Sequence, residues 1–87
     1  MGPAMTEEER AKKTAHLENS RTLGEQAYDD MYEKAHSPSA ATACYNNAKE
    51  AFYAAINAAN ELGLTDEARR LEARLQHIKA VFRNQFP

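Results

Sequence analysis

The chain has one cysteine, Cys44, and no tryptophan among its 87 residues. A single thiol closes no internal disulfide, so the fold does not rest on oxidative cross-links, and a reducing, cytoplasmic setting is expected. β-Branched apolar residues are scarce: Val81 is the only valine, and Ile56 and Ile78 are the only isoleucines. Such a chain has little from which to build strands, and no segment alternates apolar and polar residues in steps of two. There is no run of about 18 apolar residues, so no membrane span is expected. The N-terminus lacks the apolar centre of a secretory signal. Neither charge sign dominates, with 11 lysines and arginines against 13 aspartates and glutamates and a net charge of -2. That balance lacks the overall basic footprint of a dedicated nucleic-acid binder. A chain of this length buries only about 60–65% of its unfolded surface, which leaves one thin core and no room for a cleft between domains.

What is present points to helix. Alanine is the commonest residue, and it is the best helix former. Thr6-Glu7-Glu8-Glu9 has the spacing of a capping box, and its acids suit the positive end of a helix dipole. An apolar stripe follows at three- and four-residue steps. It is sparse at Ala11 and Leu17 and denser through Gly24, Ala27, Tyr28, Met31 and Ala35, with Leu23 on its shoulder. The stretch from Glu7 to Thr14 has almost nothing to bury and is expected to fray or project into solvent. At His36-Ser37-Pro38-Ser39 the pattern breaks: Pro38 disfavours helix at Ser37 and suits the first position of a new one, with Ser37 as N-cap.

The second stripe runs Ala41, Tyr45, Ala48, Phe52, Ala55, Ala59, Leu62, flanked by a second line, Cys44, Ala48, Ala51, Ala55, Ala58, Leu62. Its small side chains let a neighbouring helix come close. With Tyr53 and Ile56 on a further side, it reads as a central helix with two partners. Leu62-Gly63-Leu64 is a stop of the Schellman kind, and Thr65 is expected to cap a third helix with Asp66 and Glu67 in its first turn. Ala68, Leu71, Leu75, Ile78 and Phe82 give that helix the strongest amphipathic pattern in the chain.

Helices are thus expected at about 6–35, 38–62 and 66–85, joined by short loops that make consecutive helices antiparallel neighbours. Lengths of about 45 Å for the first and about 30 Å for the third would leave part of the first without an internal partner. Residues 1–5, Met-Gly-Pro-Ala-Met, read as a cloning remnant and disordered start, leaving 6–87 as one domain.

Ala48, Phe52 and Ala55 resemble the A-x3-F-x2-A signature of the second helix of a tetratricopeptide repeat, and Leu23-Gly24 with Tyr28 looks like the L-G…Y of its first. The resemblance covers about half the chain. It implies a helical hairpin of the kind that serves as a peptide- and protein-binding scaffold. A three-helix trafficking-type domain that takes short helical peptides in a groove is similar in size and order.

Chemistry-bearing residues are sparse. His16, His36, His77 and Cys44 show no metal-ligand spacing, and no H-E-x-x-H or C-x-x-C occurs. Cys44 and His36 are the only Cys/His pair near in sequence, but Cys44 lies among alanines, where burial makes a thiol inert. The three glycines are isolated, which excludes a glycine-rich phosphate loop. Glu25, Asp29 and Glu33 stack like charges at i, i+4, i+8, either as a solvated face or as a docking surface for a basic partner. Arg69, Arg70, Arg74, Lys79 and Arg83 make the third helix basic, while residues 1–36 hold five bases against eight acids. The third-helix bases read as a solvated face that complements the first helix, or as a site for an acidic peptide or nucleic acid. No aromatic residue interleaves the arginines, so base stacking is not supported.

The sequence therefore predicts an all-α, three-helix antiparallel bundle: a tetratricopeptide-like hairpin plus one helix. No enzyme activity, cofactor or metal is expected. The expected function is binding of a protein or peptide partner through a helical groove or face, with self-association as a variant. Tyr32, Tyr53 and Ile56 are the candidate apolar anchors, and Arg70 and Arg74 the candidate charged groups. The alternative is a small regulator that contacts nucleic acid through the third helix.

Overall fold

The computed structural model describes residues 4–86. Three helices make up the fold, α1 (Glu7–Glu33), α2 (Pro38–Glu61) and α3 (Thr65–Gln85), and there is no strand among the described residues. The all-α three-helix architecture is as the sequence predicts. α2 lies centrally, packed along α1 on one side and against α3 on another. The molecule is elongated, 49 × 19 × 15 Å.

Each helix start and stop has a local cause. Thr6 caps α1: its hydroxyl oxygen accepts from the Glu9 amide at 3.1 Å. The Glu9 carboxylate does not return to the backbone as in a full capping box; it accepts from the Thr6 hydroxyl. α1 ends at Glu33, two residues before the predicted limit, because the chain turns at Lys34–His36 to bring Ser37 into extended geometry ahead of Pro38. Ser37 then caps α2 through the Ala40 amide. At the other end of α2 the Schellman bonds are both made, Leu64 N–H to Ala59 at 2.8 Å and Gly63 N–H to Asn60 at 3.1 Å. Gly63 takes φ +74 to allow this. The Leu64 carbonyl starts α3 directly, accepting from Ala68. Thr65 is thus the first residue of α3, and the predicted threonine cap is corrected: the cap position is Leu64, with no side-chain cap bond.

The core is one cluster. Met31, Phe52, Leu75 and Ile78 are its fully buried large side chains, with Leu17, Tyr28, Ile56, Leu62 and Leu71 around them. Burial of each large apolar side chain stabilises the fold by about 1.5–3 kcal/mol. Between α1 and α2 the packing is tighter than between bulky side chains. A Cβ on Gly24 would sit 2.7 Å from two ring carbons of Phe52, so only glycine admits that ring.

The start of α1 is not the free overhang that its sparse stripe suggests. Polar contacts hold it to the end of α2: the Arg10 guanidinium donates to the Leu62 carbonyl at 3.4 Å, and Lys13 forms an ion pair with Glu61. Met5 packs against the core. Of the segment expected to be a disordered start, residues 1–3 lie outside the described residues. Ala11 and Ala35, placed on the stripe by periodicity, are exposed. No helix among the described residues is long and apolar enough to cross a membrane.

Candidate functional site

The sequence-predicted residues separate into three places. Ile56 is only 7% exposed and belongs to the core. This corrects its assignment as an outward anchor: it lies one helical turn from Phe52 and faces α3 rather than solvent. Tyr53, its neighbour on the outer edge, is 47% exposed. The Tyr53 hydroxyl accepts from the Lys79 ammonium at 2.7 Å, and the same ammonium lies 5.2 Å from the ring centroid. With Glu72, Leu75 and Gln76 these residues line a dent of about 290 Å³ between α2 and α3.

Tyr32 is elsewhere, near the C-terminal ends of α1 and α3. It is 43% exposed and does not meet Tyr53 in one patch. Its hydroxyl shares a 3.0 Å hydrogen bond with that of Tyr28. The ring stands edge-on to Phe86, Phe86 stacks on Phe82, and Phe82 stacks on Tyr45 at 3.9 Å between centroids. The Lys49 ammonium closes the ladder over Tyr45. Burial, and then the Tyr32 hydrogen bond, push the Tyr28 hydroxyl up to about 12.

The two candidate arginines are engaged inside the fold. Arg74 makes a bidentate pair with Glu25, both bonds 2.8 Å, and lies 4.9 Å from the Tyr28 ring centroid. The hydrogen bond to Glu25 raises the Arg74 pKa. Its geometry ties α3 to α1 and leaves little of the fork for a partner. Arg70 pairs with Glu67 one turn away but stays exposed. The like-charge ridge on α1 is broken at its first member, since Glu25 is the acid that Arg74 takes. Of the five bases on α3, Arg74, Arg70 and Lys79 thus have internal partners, so the basic face is less free than its composition implies.

A groove that sequence reasoning did not single out runs between α1 and α2, lined by those two helices alone. Its main section, about 510 Å³, has Leu23, Ala27, Ala51 and Ala54 on its floor and walls and Asp30 and Glu50 at its rim. A second section of about 270 Å³ continues past Ala54 to Lys13 and Glu61. Along α1 the lining residues include Lys13, His16, Ser20, Leu23, Ala27 and Asp30, at alternating steps of three and four, with Gln26 beside them. Along α2 they include Asn47, Ala51, Ala54, Ala58 and Glu61, the same spacing. Two such seams side by side form the seat that coiled-coil helices offer a further helix. Leu23 is 59% exposed, the most open large apolar side chain of the domain's described residues. The sequence carried the signal only in part: Ala51 and Ala58 lie on the flanking line of α2, whereas Ala54 lies on neither of its apolar lines. The signal was further obscured because the matching α1 line carries only one large apolar residue.

No group of three or more His, Cys, Asp or Glu side chains suited to a metal ion occurs among the described residues. Cys44 is buried, and His36 lies exposed in the preceding turn. Of the residues behind the tetratricopeptide resemblance, Ala48, Phe52 and Ala55 are fully buried, Tyr28 is buried and Gly24 faces Phe52, whereas Leu23 is exposed. No protein-family model, no curated protein and no solved structure matches the chain.

Proposed function

We propose that this domain is a non-catalytic module that binds a partner protein through a helical face. The observation that carries the reading is the open α1/α2 groove, in which an exposed Leu23 stands beside an alanine-lined floor with no helix of the domain over it. Contiguous exposed apolar surface with a polar rim is characteristic of interaction sites. The tetratricopeptide resemblance favours the same class of function. Tyr32 and Tyr53 offer secondary anchors, and Arg70 an exposed charge. Nucleic-acid binding through α3 is the weaker reading, because three of its five bases already have internal partners.

Affinity capture from a native lysate, with and without nuclease treatment and repeated with the purified captured protein, tests this reading. Saturable binding at a fixed stoichiometry that changes little as salt is raised supports it. Binding of nucleic acid alone, falling steeply with salt, sinks it in favour of the alternative.

A further inference from the structure

The groove is specific enough to define what fills it. Its α1 seam runs from Lys13 to Asp30, about 26 Å at 1.5 Å per residue, or about five turns of helix. Small side chains on both walls admit a third backbone closely, and they leave the bulky knobs to be supplied from outside. Charge is uneven along it. Lys13 is neutralised by Glu61 at one end, while Asp30 and Glu50 rim the other with no ion-pair partner among the described residues. At mid-groove Ser20 is 6% exposed, the single buried polar side chain of the domain's described residues. Its hydroxyl makes no hydrogen bond among the described residues. No polar side-chain atom is both sealed from solvent and unpartnered, so its hydroxyl opens into the groove that it lines. A helix laid over the groove would cut this hydroxyl off from water, so a hydrogen-bonding side chain on that helix would satisfy it and fix the register.

A second copy of the chain is a poor occupant. Two grooves face to face would bring Asp30, Glu50 and Glu61 of both copies together against only Lys13 from each. The outer face of α3 offers no large exposed apolar knob, since Leu71, Leu75 and Ile78 are buried and Val81 and Phe82 pack against the core. We propose that the α1/α2 groove seats one amphipathic helix of a partner protein, about five turns long. That helix carries bulky apolar side chains along its inner face, one hydrogen-bonding side chain opposite Ser20, and lysine or arginine over Asp30 and Glu50. This rests on the protein-binding reading and names its partner class.

Synthetic helical peptides test it against the full chain by titration with amide chemical-shift mapping. One peptide has a leucine seam with a central asparagine and Lys/Arg flanks, a second has the same seam with Glu flanks, and a third has an all-leucine seam with Lys/Arg flanks. The basic peptide is expected to shift the amides of Ser20, Leu23, Ala27, Ala51 and Ala54. It should bind roughly five- to tenfold tighter than the acidic one, from two rim charge pairs and the repulsion they replace. Asp30→Lys with Glu50→Lys should reverse that preference, and Leu23→Arg, at an exposed position, should abolish binding with the circular dichroism unchanged. Ser20→Ala should weaken the asparagine peptide severalfold and leave the all-leucine peptide alone. Equal affinity for both flank types, shifts confined to α3, or a mass doubling lost in Leu23→Arg would each overturn the proposal. A captured partner that binds wild type and Leu23→Arg equally also overturns the groove assignment while leaving the protein-binding reading intact.

Discussion

The two sides of the α1/α2 hairpin use much the same residues and end differently. The inner side meets α3, and there small residues alternate with large ones: Gly24 and Ala48 make room that Phe52, Met31, Leu75 and Ile78 fill completely. On the outer side the small residues are Ser20, Ala27, Ala51 and Ala54, and the one large apolar residue of the lining, Leu23, stands largely in solvent. Alanine and glycine at three- and four-residue steps set how near two helices come. They do not close a seam, since closure needs volume from a third element. α3 supplies that volume on one side only.

The contrast is broken first at Phe52. Phe52→Ala should cost about 3–5 kcal/mol, a large share of what a domain of this size has, and leave the chain mostly unfolded on heating. Chemical denaturation read by circular dichroism measures it. Gly24→Ala is the complementary test. Alanine is favoured over glycine in a helix by about 1 kcal/mol, but here its Cβ meets a fully buried ring at 2.7 Å. Overpacking of this kind costs about 1–3 kcal/mol, so a net loss is expected. In a Phe52→Leu background the loss from Gly24→Ala should shrink. A cycle with no coupling would show that the close approach of the helices does not depend on this pair.

How much of this the sequence carried follows from where the side chains point. All three helices were legible because their stops are local: Pro38 and Gly63 act on the backbone whatever packs above them. The Thr65 cap was misplaced by one residue because the Schellman turn fixes where the next helix begins, and a good capping side chain at Thr65 does not outweigh that. Ile56 was placed on the second packing side of α2 and also offered as an outward anchor, because periodicity alone does not say which arc of that side α3 covers. The third-helix bases were read as complementing α1, which the Arg74 pair with Glu25 does, but Arg74 was also offered to a partner because nothing local links it to Glu25, 49 residues away. The outer groove went unread because an alanine line looks alike whether or not a helix lies on it.

The α1/α3 contact sharpens the comparison at its polar edge. The Tyr28 hydroxyl is raised from 10.0 to about 12 by burial and its bond to Tyr32. The neutral form is therefore the one the folded state favours. This stabilisation is fully present below pH 10, where the unfolded tyrosine is also neutral, and is lost as pH rises from 10 towards 12. An alkaline unfolding limb in that window is expected, reduced in Tyr28→Phe, and fluorescence or absorbance titration of the tyrosines follows it. Glu25→Gln should do less. Its bonds to Arg74 are well aligned, but both side chains are more than a third exposed, so screening holds the loss to about 0.5–1 kcal/mol, smaller still at high salt.

The smallest effect is expected on the outer side, and it separates the two sides most directly. Leu23→Ser removes a large apolar side chain, yet at 59% exposure the leucine gains little from the fold that it would lose on unfolding. A surface change away from caps and buried partners stays within about 0.5 kcal/mol, so the midpoint of thermal unfolding should barely move. The same truncation at Leu75, fully buried in the core, should cost several times more. Equal losses at the two positions would mean that the outer seam already contributes to the isolated fold, and the groove would then be part of the core rather than a seat kept for a helix from elsewhere.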